Sequence, residues 1–298
     1  TGRTATQISS GYQHTCAVLD NGEVKCWGRN HKGQLGQENT DNIGDASGEM
    51  ASLSAVFLGS GRTATQVETG MFHTCALLDN GSVKCWGHND LGQLGMDNTD
   101  RIGEDSGDMT SLGVVNLGSG RTATQISLGK KHSCALLDNG SAKCWGENAN
   151  GLLGHDNNTS PLDAIGDASS EMALLKGINL GTGRTAIQID AGQAQNCALL
   201  DNGLVKCWGL NDDGQLGIES TTTVGTTTTK MITLNGINFG SASSVLGIGA
   251  GRKHVCAVFD NSSVKCWGDN SKGQLGQENT DNIGDNSGEM SSLQDIDL

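Results

Sequence analysis

The sequence predicts an all-β fold, a β-propeller built from five repeats of about 60 residues each. Three observations predict it. Ten cysteines fall in five pairs of one fixed spacing, Cys16/Cys26, Cys75/Cys85, Cys134/Cys144, Cys197/Cys207 and Cys256/Cys266. The first members of those pairs advance along the chain in steps of 59, 59, 63 and 59 residues. Forty-five glycines with a single proline, Pro161, punctuate the 298 residues too often for long helices.

The repeats run approximately over 1–59, 60–118, 119–181, 182–240 and 241–298 and together make one repeat domain. The alternating segment Thr122-Ala123-Thr124-Gln125-Ile126 predicts the first strand of a unit. Next comes a hairpin around Asp79-Asn80-Gly81, the strongest short-range turn signal, with β-forming residues on both sides. A three-residue loop with Gly81 left-handed sets Leu77 opposite Val83, Ala76 opposite Lys84 and Cys75 opposite Cys85. Directly opposed Cα atoms lie about 4.5–5.5 Å apart, within reach of a disulfide. Each such bridge closes a short loop and stabilises by roughly 2–3 kcal/mol on the chain-entropy estimate. Val114-Val115-Asn116-Leu117 predicts a short fourth strand, the strand count of a propeller blade. The acidic stretch from Asp97 to Met109 is the remaining loop.

Composition limits the functional classes. The net charge of −14 argues against nucleic acid and anionic membrane as partners, because both demand basic surface. No apolar run approaches the roughly 20 residues needed to span a bilayer. The chain opens without a basic and apolar leader, so an export signal is expected to be removed or to lie outside this numbering. An even count of evenly paired cysteines points to disulfides and to an oxidising, extracellular or cell-surface compartment.

Repeat two reads Gly70, His73, Cys75-Ala76-Leu77-Leu78-Asp79-Asn80-Gly81, Val83-Lys84-Cys85-Trp86-Gly87, Asn89, Gly92-Gln93-Leu94-Gly95, and the string recurs five times. It resembles the repeat of the regulator of chromosome condensation family, in its cysteine-paired bacterial and environmental form. The resemblance implies a β-propeller used as a protein-binding platform. Five units, where the family usually has seven, leave three architectures open: a closed five-blade ring, part of a larger ring, or an open spiral or fibre. The cysteines set the chain apart from the family's nuclear exchange factor. Lys272–Leu293 repeats Lys32–Leu53 with only Asn286 for Ala46 and Ser291 for Ala51, which points to a duplication of four units.

Each candidate site has a structural reading beside the functional one. His14, His73, His132 and His254 precede the first cysteines by two residues, with Gln195 in repeat four, and read as structural. One histidine and two thiols per unit fall short of a four-ligand zinc site. Trp27, Trp86, Trp145, Trp208 and Trp267 read as packing between blades, and Arg3, Arg62, Arg121 and Arg184 as ties between strands or blades. The acidic loops offer a calcium alternative through Asp41, Asp45, Asp100, Asp105, Asp281 and Asp285, although none has EF-hand spacing. Asn80, Asn139, Asn157, Asn158 and Asn261 open glycosylation sequons. His31, His88 and His155 sit in variable loops and share no spacing. Nothing assembles a catalytic set and no cofactor is required, calcium apart. The function expected is a non-catalytic extracellular scaffold, structural or self-assembling, whose partners are other protein subunits, copies of itself included. The alternative is a secreted protein-binding propeller, with a nucleotide-exchange factor a distant third.

Overall fold

The computed structural model describes residues 2–155, 164–226, 230–240 and 244–298. The sequons at Asn157 and Asn158 lie outside them, as does Ser243, which breaks the arginine series. Repeat one folds as β1 (Ala5–Ser10), β2 (His14–Leu19), β3 (Val24–Gly28) and the one-turn helix α1 (Glu49–Ser52). Repeat two gives β4 (Ala64–Thr69), β5 (His73–Leu78), β6 (Val83–Gly87) and α2 (Asp108–Ser111). Repeat three gives β7 (Ala123–Leu128), β8 (His132–Leu137), β9 (Ala142–Gly146) and α3 (Glu171–Leu174). Repeat four gives β10 (Ala186–Ala191), β11 (Gln195–Leu200) and β12 (Val205–Gly209), with a 3₁₀ turn at Met231–Thr233 where the others have the helix. Repeat five gives β13 (Val245–Ala250), β14 (His254–Phe259), β15 (Val264–Gly268) and α4 (Glu289–Ser292). Each repeat is one antiparallel sheet of three strands in chain order. The chain divides into two compact units, one of Thr1–Asp138, Trp145–Glu147 and Ala164–Leu175, the other of Asn139–Cys144, Asn148–Asp163 and Lys176–Leu298.

The hairpin has the register that its turn predicts. Leu77 faces Val83, Ala76 faces Lys84 and Cys75 faces Cys85, with Gly81 at φ 75°. Hydrogen bonds Leu78 N to Ser82 O and His88 N to Phe72 O bracket the ladder, so the cysteines form a non-hydrogen-bonded pair, where Cα atoms come closest. Cys16–Cys26, Cys75–Cys85, Cys197–Cys207 and Cys256–Cys266 are bridged, the first three with Cα atoms 4.1 Å apart. Cys134 and Cys144 are likewise disulfide-bonded. In repeat five the left-handed turn position is occupied by Ser262 at φ 68°. A side chain there is strained, so Ser262→Gly is expected to raise stability by about 0.5–1 kcal/mol, read as a higher Tm.

The fourth strand does not form. Val56 and Val115 each send a single backbone hydrogen bond to the preceding strand, at Val24 O and Val83 O, too few for a ladder. The outer edge of β3 is shared instead between Val56 and an isolated bridge from Gly28 to Ile43, and the bridge recurs in every repeat. The acidic stretch is likewise not all loop, since it carries this bridge and the helical turn. Helix α1 is held by its own acid: Glu49 Oε2 accepts from the amides of Gly44 and Ala46. Asp108 and Glu171 each accept from three consecutive amides in the same way.

The core lies between successive repeats. In the first unit Cys16, Val18, Val24 and Leu35 of repeat one pack on Val67, Ala76, Trp86 and Met109 of repeat two. Sandwiching buries β5 on both faces, so all six of its residues are buried. Polar groups register the repeats on one another. The Trp86 indole and the Thr74 hydroxyl both donate to Gln34 O, at 3.0 and 2.9 Å. The Thr74 proton is thereby used, so its oxygen accepts from His14 Nε2 at 3.0 Å. Glu38, left-handed at φ 56°, accepts the Met109 amide at 3.0 Å. Gln7 acts as an amide clip, donating to Val67 O and accepting from Val67 N, both at 2.9 Å, as one rung of a ladder would. Repeats four and five of the second unit meet through the same parts, Gln188 with Ile248, Trp267 with Gln215 O and Glu219 with the Met290 amide.

Candidate functional site

The edge of each sheet where β2 begins and β3 ends carries the residues that differ most from repeat to repeat. His14 pairs with Gly28, which places Tyr12 and Gln13 beside Arg29 and His31. The corresponding pair in repeat two is Met71 and Phe72 beside His88 and Asp90, whose register is fixed by His73 against Gly87. The recurrent Asn30 holds the second of these loops by donating to Asn39 O and accepting from the Leu35 amide.

Phe72 is the hub of this rim. It meets Tyr12, His31 and His88 edge-on, with centroids 5.9, 4.9 and 6.4 Å away. The Arg29 guanidinium sits 5.7 Å over its ring and also donates to Gln13. Such a cation–aromatic contact stabilises by about 0.5–1 kcal/mol at an exposed site. Tyr12 remains 64% exposed, which leaves the hub an open aromatic face. His88 is oriented on both nitrogens, Nδ1 receiving the Gln93 amide at 2.8 Å and Nε2 donating to Asp90 at 2.8 Å. Arg101 reaches Asp90 at 3.4 Å and Glu104 at 3.7 Å. Partial burial pushes the His31 imidazole down from its ordinary value, helped by Arg29, Lys32, His88 and Arg101, so it stays neutral at neutral pH. Burial opposes ionisation of Asp90, yet His88 and Arg101 hold its carboxyl below the usual range.

The cations are sorted by position. Four of the 19 lysines and arginines (Arg3, Arg62, Arg121 and Arg184) pair with turn aspartates of their own repeats, Asp20, Asp79, Asp138 and Asp201, at 3.1–3.5 Å. Five more are the lysines of the third strands, of which Lys25 and Lys265 donate to the Leu53 and Leu293 carbonyls. Eight of the remaining ten stand at the rim: Arg29, Lys32, Arg101, Lys130 and Lys131 in the first unit, Arg252, Lys253 and Lys272 in the second. In the second unit Lys253 faces acids, 2.7 Å from Asp213 with Asp212 and Asp269 close by, and Arg252 donates to Gln193. Of the five rim cations in the first unit, only Arg101 is ion-paired among the described residues.

The other sequence candidates separate by role. Trp86, Trp145, Trp208 and Trp267 pack between repeats, whereas Trp27 is only half-buried, and the arginines tie each strand's lead-in to its own hairpin. The calcium carboxylates do not converge: among the described residues no three His, Cys, Asp or Glu side chains form a metal-binding group. Asp45 instead accepts from Asn42, and Asp285 from Asn286. Asn80, Asn139 and Asn261 are exposed at their turns, each accepting an amide two residues on. His31 and His88, without common spacing, meet the same ring, whereas His155 sits 3.3 Å from Cys144 O. Tyr12 and Phe72 carry no repeat signal, because their positions do not recur; the signal for them is what varies between repeats at a fixed position.

Among known proteins, the Arabidopsis thaliana ultraviolet-B receptor UVR8 is 29% identical over 271 residues, 91% of this chain and 54% of the receptor. The human probable E3 ubiquitin-protein ligase HERC6 is 28% identical over 94% of this chain and 25% of its own length. The chain therefore spans about half or less of these relatives. Among solved structures, human WBSCR16 superposes with a TM-score of 0.76 at 18% identity, over 99% of this chain and 68% of that one. Yeast RCC1 (Prp20), in its complex with Kap60, gives 0.71 at 20% identity over 91% and 57%. These likenesses establish the fold as that of RCC1-type propellers. The regulator of chromosome condensation (RCC1) repeat matches residues 5–34, 64–93, 123–152, 186–215 and 245–274, one match in each three-stranded sheet, and the chain belongs to that family.

Proposed function

We propose that this chain is a non-catalytic, extracellular or cell-surface scaffold that binds another protein, and that the rim of repeats one and two holds an acidic segment of that partner. The observation that carries the reading is Phe72, an aromatic hub met by three rings and one guanidinium beside unpaired cations. Exposed aromatics with arginine are the side chains that dominate protein interfaces. Five rim cations in a chain of net charge −14 form a local attraction for carboxylates that the rest of the surface opposes. The oxidised cysteines support an extracellular setting. That yeast RCC1 is seen bound to Kap60 supports protein binding as a use of this fold.

The probe is a labelled random copolymer of glutamate and tyrosine, followed by fluorescence anisotropy at low and physiological salt. The wild type is expected to bind it with an affinity that falls as salt rises. The double change Arg29→Glu and Phe72→Ala is expected to weaken binding about tenfold or more, in line with removal of a hot-spot pair. Binding unaltered by that change, or insensitive to salt, overturns the reading.

A further inference from the structure

Repeat four lacks a side chain that other repeats use to span a gap. The residue after Gly36 is Gln37, and its counterparts in repeats two, three and five are Met96, His155 and Gln277. Gln37 donates its amide to Ser54 O at 3.4 Å, and Gln277 donates to Gln294 O at 3.2 Å. Met96 crosses to the same place, since a Cβ on Gly113, the counterpart of Ser54, would meet its methyl carbon at 3.1 Å. His155 turns to Cys144 O instead. In repeat four the position holds Ile218, which is one atom shorter than glutamine, branches at Cβ and carries no donor. A cavity of about 390 Å³ opens beside it, within the second unit and at the junction of repeats four and five.

Val224, Leu234, Ile237 and Met290 give this cavity buried, apolar walls. Two polar groups stand free on its lining. Asn235 is the counterpart of Ser54 and Gln294, and among the described residues no donor reaches its carbonyl oxygen. Lys230 occupies the position of Glu49, Asp108, Glu171 and Glu289, the acids that close their own loops on backbone amides. Its side chain is exposed, and no carboxylate among the described residues lies within ion-pairing distance of it. Glu219 is the one acid of the lining, and its carboxylate is already engaged by the Met290 amide at 3.2 Å.

We propose that this cavity binds a small aliphatic carboxylate that ends in a primary amide, the amide donating to Asn235 O and the carboxylate meeting Lys230. The chemistry is that of the side chain the site lacks. In repeats one and five a glutamine amide reaches the equivalent carbonyl, so the ligand supplies the same donor from outside. Its methylene stem lies on the apolar walls and leaves water there, which is favourable in proportion to the area covered. A cavity of this volume, mostly apolar with a few convergent polar groups, has the make-up of a small-molecule site. A ligand without the amide leaves Asn235 O buried and unpaired, and one without the carboxylate forgoes the charge-assisted bond to Lys230. The site belongs to repeats four and five and does not rest on the reading of the Phe72 rim.

The test is an amide-resolved NMR titration with glutaric acid monoamide as the probe. Wild type is expected to bind it saturably in the millimolar range, as suits so small a ligand, with shifts at the Gly236 and Met290 amides. Glutarate, which has a second carboxylate in place of the amide, is expected to bind about tenfold more weakly or worse. Ile218→Gln restores the spanning side chain. It is expected to abolish binding and to raise Tm by a few degrees, because it fills the cavity and pairs Asn235 O. Glutamine stands at this position in repeats one and five, so the variant is expected to fold. Lys230→Glu is expected to weaken binding about fivefold or more. Phe72→Ala is expected to leave it unchanged, which separates this site from the rim. A wild type without saturable shifts at tens of millimolar overturns the proposal. So does an Ile218→Gln variant that binds like wild type, or glutarate binding as tightly as the monoamide.

Discussion

Acidification is expected to destabilise this fold well before its carboxylates are neutralised, with the loss beginning near pH 6.5. Burial pushes His73 down to about 3, aided by the neighbouring His132 and His14, and burial alone pushes His14 down to about 4. The network explains why. Thr74 and Ser133 spend their hydroxyl protons on Gln34 O and Gln93 O, so each imidazole must donate from Nε2, and Nδ1 is left bare without a partner. A second proton would enter a buried site in which Nδ1 has no acceptor among the described residues. Both folded values lie below the unfolded one, so between them the unfolded chain binds more protons. Stability is therefore complete above pH 6.5 and falls as pH drops through the window toward 4 for His14 and 3 for His73. Each pH unit costs about 1.4 kcal/mol per histidine, so both together cost on the order of 5 kcal/mol at about pH 4.5. Urea unfolding at pH 7.5 and 4.5 measures it. Repeat four supplies the control, since Gln195 stands at this position and donates its amide to Gly251 O. His14→Gln with His73→Gln is expected to flatten most of the slope; an unchanged slope would assign it to the carboxylates.

Those histidines also mark how far the sequence could be read. Their recurrence two residues before a cysteine points to a structural role, and the Asp79-Asn80-Gly81 turn with ten-residue cysteine spacing predicts the hairpin register residue for residue. Both are local: a turn type fixes a register, and a register fixes a disulfide. The fourth strand failed because Val114–Leu117 has β-forming residues but meets the neighbouring strand through the Val115 amide to Val83 O in place of a ladder, a matter of where the neighbouring bridge lies. The helical turn escaped notice since four residues after a glycine carry no helical period. Glu49, Asp108 and Glu171 were visible as charge, but their partners are amides of their own loops, which composition does not reveal. The amide clip at Gln66 and the Phe72 hub are contacts across repeats, at separations of about 60 residues for the clip, and pattern within one repeat says nothing of them.

The contrast between two tryptophans tests the same architecture from its energetics. Trp86 is fully buried between repeats one and two and donates to Gln34 O, so Trp86→Ala removes transfer free energy and opens a cavity that two packed sheets cannot close. The expected cost is about 3–5 kcal/mol. Thr74 still donates to the Gln34 carbonyl, so no orphaned acceptor adds to that figure. Trp27 is the same residue in the same strand position, but it is only half-buried and no described residue accepts its indole proton. Trp27→Ala is therefore expected to cost less than half as much when both are measured by urea unfolding at low protein concentration. Equal costs would mean that burial between repeats is not what holds this fold.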